Sequence, residues 1–154
     1  MKIRVFWIGK AKYSAVSELV EIYESRLTHY VDFDIIELKD SSSKGKSSLL
    51  LAEAQSIIKK IDKKDYNICL DEHGKSYTSV GLSRKLEWFQ NSSTRNINII
   101  IGGPFGFHQS IQEICKEKWA LSKFTLPHDL CRVIILEQLY RAFTILKGEK
   151  YHNP

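Results

Sequence analysis

The residues best suited to chemistry gather in the last third of the chain. Gly102-Gly103-Pro104-Phe105-Gly106 is a glycine-rich turn that directly follows the apolar run Ile97 to Ile101. Open α/β sheets bind ligands beyond the carboxyl ends of their strands, and glycine lets main chain approach a ligand closely, so this turn reads as a ligand loop. The same residues could also form a plain Gly-Pro turn. The pattern is not GxGxxG and follows the fourth strand-like run rather than the first, which argues against a dinucleotide fold. His128 stands beside the expected start of the last helix, where a neutral imidazole is favoured and backbone N–H groups point outward; a capping or core histidine is the plain alternative. Tyr151-His152 joins aromatic bodies to polar tips, a pairing suited to stacking on a base and handling a proton and poorly suited to a frayed end.

Other combinations carry less. Glu137 precedes Arg141 by one helical turn, the spacing of an ordinary helical ion pair. Gly45-Lys46-Ser47 imitates the end of a P-loop, but Asp40 occupies the position where that motif needs its first glycine. Cys69, Cys115 and Cys131 form no CxxC pair and no disulfide framework, and no cluster has metal-ligand spacing, so no metal is expected. Their apolar neighbours predict buried free thiols, which fits a reducing compartment.

The elements that must position these residues alternate. Strands are predicted at Lys2 to Ile8, Phe33 to Leu38, Tyr66 to Leu70 and Ile97 to Ile101, with helical spacing at Tyr13 to Leu27, Leu49 to Ile61 and Val80 to Phe89. That order implies an α/β fold, a mainly parallel sheet with helices on both faces. A helix-like segment follows from His108 to Lys118, then the apolar patch Trp119 to Ser122. The last helix is predicted over His128 to Leu146, with Pro127 in its first turn and Gly148 as its stop. Its apolar positions exceed one narrow stripe, so it is expected to pack on two surfaces, the core and a partner subunit. The Ser-rich stretch Asp40 to Ser48 reads as an exposed connection within a single domain spanning 1–154.

Composition sets the bounds. With 43% hydrophobic and 27% charged residues the chain is expected to fold throughout. The start lacks a signal-peptide pattern and no run is long enough to span a membrane, so a cytoplasmic protein without membrane contact is expected. A formal charge of +5, from 23 Lys and Arg against 18 Asp and Glu, favours a polyanionic partner without requiring one.

Four runs, taken together, carry a family resemblance. Cys69-Leu70-Asp71-Glu72-His73-Gly74-Lys75, Ile101 to Gly106, Leu121 to His128, and Glu137-Gln138-Leu139-Tyr140-Arg141-Ala142 with Tyr151-His152 stand in register from Met1 to His152. The chain resembles the ribosomal large subunit methyltransferase H family of the SPOUT superfamily, the 23S rRNA pseudouridine N3-methyltransferases. The resemblance implies a homodimer with a C-terminal deep trefoil knot, which general rules of chain topology would have excluded. It implies S-adenosylmethionine as cofactor, held by Leu70, Gly102, Leu121, Ser122, Lys123, Phe124, Thr125 and Leu126. It also implies a pseudouridine of 23S rRNA as substrate, in the large subunit or whole ribosome. His152 is the first candidate for the base that takes the N3 proton and His128 the second, and Tyr151 stands with His152 in the catalytic tail. Family members often carry a basic residue directly after the Tyr-His pair. Here Asn153 and Pro154 follow, so the resemblance does not carry a phosphate contact over to that position, while Tyr151 and His152 still match.

Overall fold

The computed structural model describes residues 1–153; Pro154, part of the departure from the family at the tail, lies outside them. The elements run β1 (Lys2–Ile8), α1 (Ser14–Leu27), β2 (Asp32–Leu38), α2 (Lys46–Ile58), β3 (Tyr66–Ser76), α3 (Ser79–Asn91), β4 (Asn96–Ile101), α4 (Gln109–Ile114), β5 (Glu117–Ala120) and α5 (His128–Leu146). The strands form one sheet in the order β2-β1-β4-β3-β5, with parallel pairing throughout.

Both faces of the sheet are covered, which is why its central strands are apolar nearly throughout. Alternation along β1 and β4 sends Ile3, Val5, Trp7, Ile97, Ile99 and Ile101 into the larger core, against Val16 and Val20 of α1, Leu86 and Phe89 of α3, and Leu136 and Leu139 of α5. Phe6, Ile8 and Ile100 face the other way, onto Ala54 and Ile57 of α2 and Ile111 of α4. The expected α/β architecture is therefore the one observed.

The second helix runs Lys46–Ile58 rather than Leu49 to Ile61, so the Ser-rich connection ends at Gly45, and two further elements differ from expectation. The segment predicted as helix up to Lys118 stops at Ile114, and Glu117–Ala120 forms a fifth strand against β3. Glu117 anchors it, accepting hydrogen bonds from Tyr66 Oη (2.6 Å), Lys85 Nζ (2.6 Å) and Trp119 Nε1 (2.7 Å). Burial alone would raise the Glu117 pKa, but donation from Lys85, Trp119 and Tyr66 outweighs it and holds the carboxyl below its ordinary value. Also, β3 does not end at Leu70. It leaves the ladder after pairing Leu70 with Trp119 and rejoins it at Lys75, so Asp71 to Gly74 bulge out of the sheet. Gly74 makes the return possible, since a Cβ there would sit 2.6 Å from the Lys118 carbonyl.

The last helix is fixed at both ends. Pro127 lies at its N-cap, one position before the first turn, with φ of −56°. At the other end Gly148 takes φ of +68° while Gly148 N donates to Ile145 O and Glu149 N to Thr144 O, the paired bonds of a Schellman stop. One face of α5 is buried between α1 and α3. Arg132 on that face is 2% exposed; it donates to Ile8 O at 2.8 Å, lies 3.5 Å from Asp129 and stacks over Trp7. Burial pulls the Arg132 pKa down, with the Asp129 charge opposing.

Candidate active site

Beyond the carboxyl ends of β3, β4 and β5 lies a pocket of about 590 Å³. Leu70 and the bulged Asp71 and Glu72 form one wall, and Gly102, Gly103, Pro104, Gly106 and Phe107 of the glycine turn form a second. Leu121, Ser122 and Phe124 to Pro127 form a third, and His128 and Cys131 close the base from the first turn of α5. The second wall is a tight turn: Gly106 N donates to Gly103 O at 3.0 Å, and Gly106 adopts φ of +79°, open to glycine at no steric cost. A Cβ on Gly102 would meet Gly106 O at 3.0 Å and the Phe107 ring at 3.2 Å. The third wall is tied to the first by Thr125 Oγ1 donating to Glu72 Oε2 at 2.8 Å, and to itself by Phe124 N donating to Ser122 Oγ at 2.9 Å.

Carboxylates supply the polarity. Asp71 and Glu72 stand in the first wall, with Lys118 Nζ 3.8 Å from Asp71. Asp129 lies 4.0 Å from His128 Nε2 and accepts from Lys12 N at 2.9 Å. Behind the glycine turn Glu53 is buried close enough that a Cβ on Gly103 would approach its carboxylate to 3.1 Å. Burial, then the nearby Asp40, pushes the Glu53 pKa up. An apolar cavity edged by carboxylates and lined by main-chain loops suits a flat ring system joined to a cationic centre.

Of the residues named from sequence, Leu70, Gly102, Leu121, Ser122, Phe124, Thr125, Leu126 and His128 all border this pocket. Lys123 is exposed and outside its lining. Tyr151 and His152 are elsewhere. Tyr151 packs edge-on against Tyr140 at 4.7 Å, donates to Glu137 Oε1 at 3.1 Å and lies under the Arg141 guanidinium, while His152 Nδ1 is 3.4 Å from Arg141 Nη1. Glu137 and Arg141 thus hold the tail as well as each other, and the Glu137 bond raises the Arg141 pKa. Burial, then a hydrogen bond with Tyr23, raises the Tyr151 pKa. From His128 to Arg141 the helix rises on the order of 20 Å, so one chain does not bring its own tail to its own pocket. Asp71, Glu72, Phe107, Trp119 and Cys131 border the pocket without having been singled out for it. For Asp71 and Glu72 the signal was available, as polar residues directly after a strand.

A parallel sheet whose last loops build a ligand pocket beyond the strand ends is the plan of a SPOUT-class methyltransferase. The chain belongs to that family, in the ribosomal RNA large subunit methyltransferase H group: a family model described as "Predicted SPOUT methyltransferase" matches residues 1–152. The Ribosomal RNA large subunit methyltransferase H of Flavobacterium johnsoniae is 36% identical over 156 residues, covering 99% of each chain. The protein of the same name from Francisella philomiragia is 40% identical over 157 residues, covering 99% of this chain and 100% of its own. A crystal structure of a probable rRNA-methyltransferase from Porphyromonas gingivalis superposes with a TM-score of 0.54 at 11% identity, covering 94% of this chain and 69% of that one. At that identity the likeness speaks for the fold alone. The chain is thus an enzyme of methyl transfer.

Proposed function

We propose that this enzyme methylates N3 of a pseudouridine in 23S rRNA, in the large subunit or whole ribosome, with S-adenosylmethionine as donor. The observation that carries the reading is convergence: Leu70, Gly102 and five of the six residues from Leu121 to Leu126, far apart in sequence, border one pocket. The pocket fits the donor. Its volume lies in the range of sites for small organic ligands. Its loops offer main-chain amides and carbonyls to an adenine edge, and Asp71 and Glu72 can face a cation. When bound, S-adenosylmethionine supplies an electrophilic methyl group on a sulfonium.

The chain's own residues supply the rest. Gly102 leaves room where a side chain would intrude. Thr125, bonded to Glu72, locks the two walls that clasp the ligand. His152 takes the N3 proton as the methyl arrives, Tyr151 stacks on the base, and His128 stands within the pocket as the second candidate base. Because His152 and Tyr151 lie at the far end of α5, the reading requires a homodimer in which one protomer's tail completes its partner's site. Leu130, 48% exposed, and the half-buried Val133 and Ile134 leave an apolar strip on α5 for that contact. With the family, we take the crossing of the loops around the pocket to be a deep trefoil knot. A ribosomal substrate places the enzyme in the cytoplasm, and no metal enters the scheme. The positive formal charge, +5, suits a polyanionic substrate.

The test is transfer of labelled methyl from S-adenosylmethionine to ribosomes purified from a strain lacking the modification, with mass-spectrometric mapping of the product. Methylated pseudouridine in 23S rRNA is the expected product. No incorporation by protein that demonstrably binds the cofactor overturns the proposal.

A further inference from the structure

Two exposed phenylalanines stand on the loops that build the pocket: Phe124 borders it, and Phe105 tops the turn that forms its second wall. Phe124 is 82% exposed and Phe105 50% exposed, the former the most exposed large hydrophobic side chain among the described residues. A scattered surface leucine needs no explanation, but two aromatic rings left in water on the loops of a ligand pocket do. The two are presented by different strands. Phe105 tops the Gly103–Gly106 turn after β4, and Phe124 sits in the loop after β5; in the sheet those strands flank β3, whose bulge lies between them. Neither ring is presented by accident of a loose loop. The Gly106 conformation and the Gly106 N to Gly103 O bond fix the first, and the Ser122 Oγ bond to Phe124 N fixes the second. Cations accompany both loops: Lys46 Nζ, from the start of α2, lies 5.8 Å from the Phe105 centroid, and the exposed Lys123 precedes Phe124 in the chain.

Aromatic faces alternating with cations match one kind of partner well, an unpaired stretch of nucleic acid, in which flat bases alternate with phosphates. We propose that Phe105 and Phe124 form a two-sided clamp that stacks on the unpaired rRNA bases flanking the reacting nucleotide, with Lys46 and Lys123 on the adjoining phosphates. The inference rests on the rRNA methyltransferase reading above and adds to it the surface that holds the substrate strand. Phe124 then has two roles, bordering the cofactor pocket and meeting the RNA. The clamp pulls the neighbours of the target outward, which leaves the target base unstacked at the pocket mouth.

The experiment measures KM for ribosomes lacking the modification, kcat, cofactor Kd by calorimetry and oligomeric state by sedimentation, for the full-length protein and for Phe105→Ala, Phe124→Ala and Phe105→Trp. Stacking of one base predicts that Phe105→Ala raises KM roughly 5- to 100-fold with cofactor Kd within about twofold of the starting protein. Phe124→Ala raises KM by more than it weakens cofactor binding, and Phe105→Trp, which keeps a stacking face, restores KM. Unchanged KM in both alanine variants overturns the clamp. So does a rise in KM that tracks loss of the cofactor or loss of the dimer, because the rings would then serve the pocket wall or a protomer contact. If the unaltered protein methylates no ribosomes, the functional reading itself fails; if it does and the variants match it, only the clamp fails.

Discussion

At the amino ends of β1, β3 and β4 the sheet is closed by side chains, whereas at the carboxyl ends of β3, β4 and β5 it is closed by main chain. The amino end holds a satisfied polar network. Arg4 donates to Asn98 Oδ1 and to Asp65, each at 2.9 Å, Asn98 donates to Asn67 Oδ1 at 2.7 Å, and Asn67 donates to the carbonyls of Asp62 and Ile114. Both asparagines are fully buried. The carboxyl end has glycine turns, a strand bulge and an open pocket where comparable side chains would stand. Buried networks of this kind specify a unique packing when complete, while loops on a rigid frame are where binding residues collect. One sheet therefore separates the task of holding the fold from the task of meeting ligands.

That separation can be broken by experiment. The largest effect is expected from His152→Ala, which should lower kcat in single-turnover methyl transfer by about 10²- to 10⁴-fold, the range for loss of a general base, while Tm stays constant. A larger loss in His128→Ala would move the base to the pocket itself. Gly102→Val adds atoms where 3.0 Å separates a Cβ position from Gly106 O. Overpacking of about 1–3 kcal/mol should weaken cofactor binding roughly 5- to 150-fold by calorimetry, and unchanged affinity would detach Gly102 from the site. Asn98→Ala should do the opposite, costing about 1–3 kcal/mol of stability by stranding its buried partners, and lowering Tm by roughly 2–4 °C per kcal/mol with cofactor affinity intact. A loss of cofactor binding there would mean that the two ends are coupled.

The smallest effect concerns the chain just before the tail. Tyr30 donates to Glu149 at 2.6 Å, and this bond, followed by burial, raises the tyrosine pKa to about 12. A raised folded-state pKa contributes stability that is complete below the unfolded value near 10 and is lost as pH climbs through the folded value. Denaturation midpoints of the natural protein should fall between about pH 10 and 12, and Tyr30→Phe should flatten that part of the curve relative to it. An unchanged slope would show that Glu149 is not held by this bond.

Legibility in the sequence follows the same division. The central strands announce themselves, since Ile97 to Ile101 and Lys2 to Ile8 are runs that only a doubly covered sheet accommodates. β5 was hidden, because four residues beginning Glu117-Lys118 carry no β periodicity and form a strand only once Lys85, Tyr66 and Trp119 satisfy the carboxylate. The continuation of β3 through Asp71-Glu72-His73-Gly74 was hidden for a similar reason: a bulge follows no alternation, and the need for Gly74 arises from the main chain of Lys118, distant in sequence. The glycine turn at Gly102 was readable from its place after a strand. Leu121 to Leu126 was not, and came from the family resemblance, because an irregular loop follows neither helical nor strand periodicity.

The tethers at the start of α5 also set a timetable. Arg132 reaches Ile8 O across 124 residues, and Lys12 N donates to Asp129 across 117. Contacts that close so much chain are slow to form, and a ribosome delivers residues from the amino end at a finite rate. The first strand emerges early yet remains without its anchoring guanidinium until the last helix has been made. Until α5 has been made, the five strands are present but the larger core lacks Ile135, Leu136, Leu139, Ala142 and Phe143.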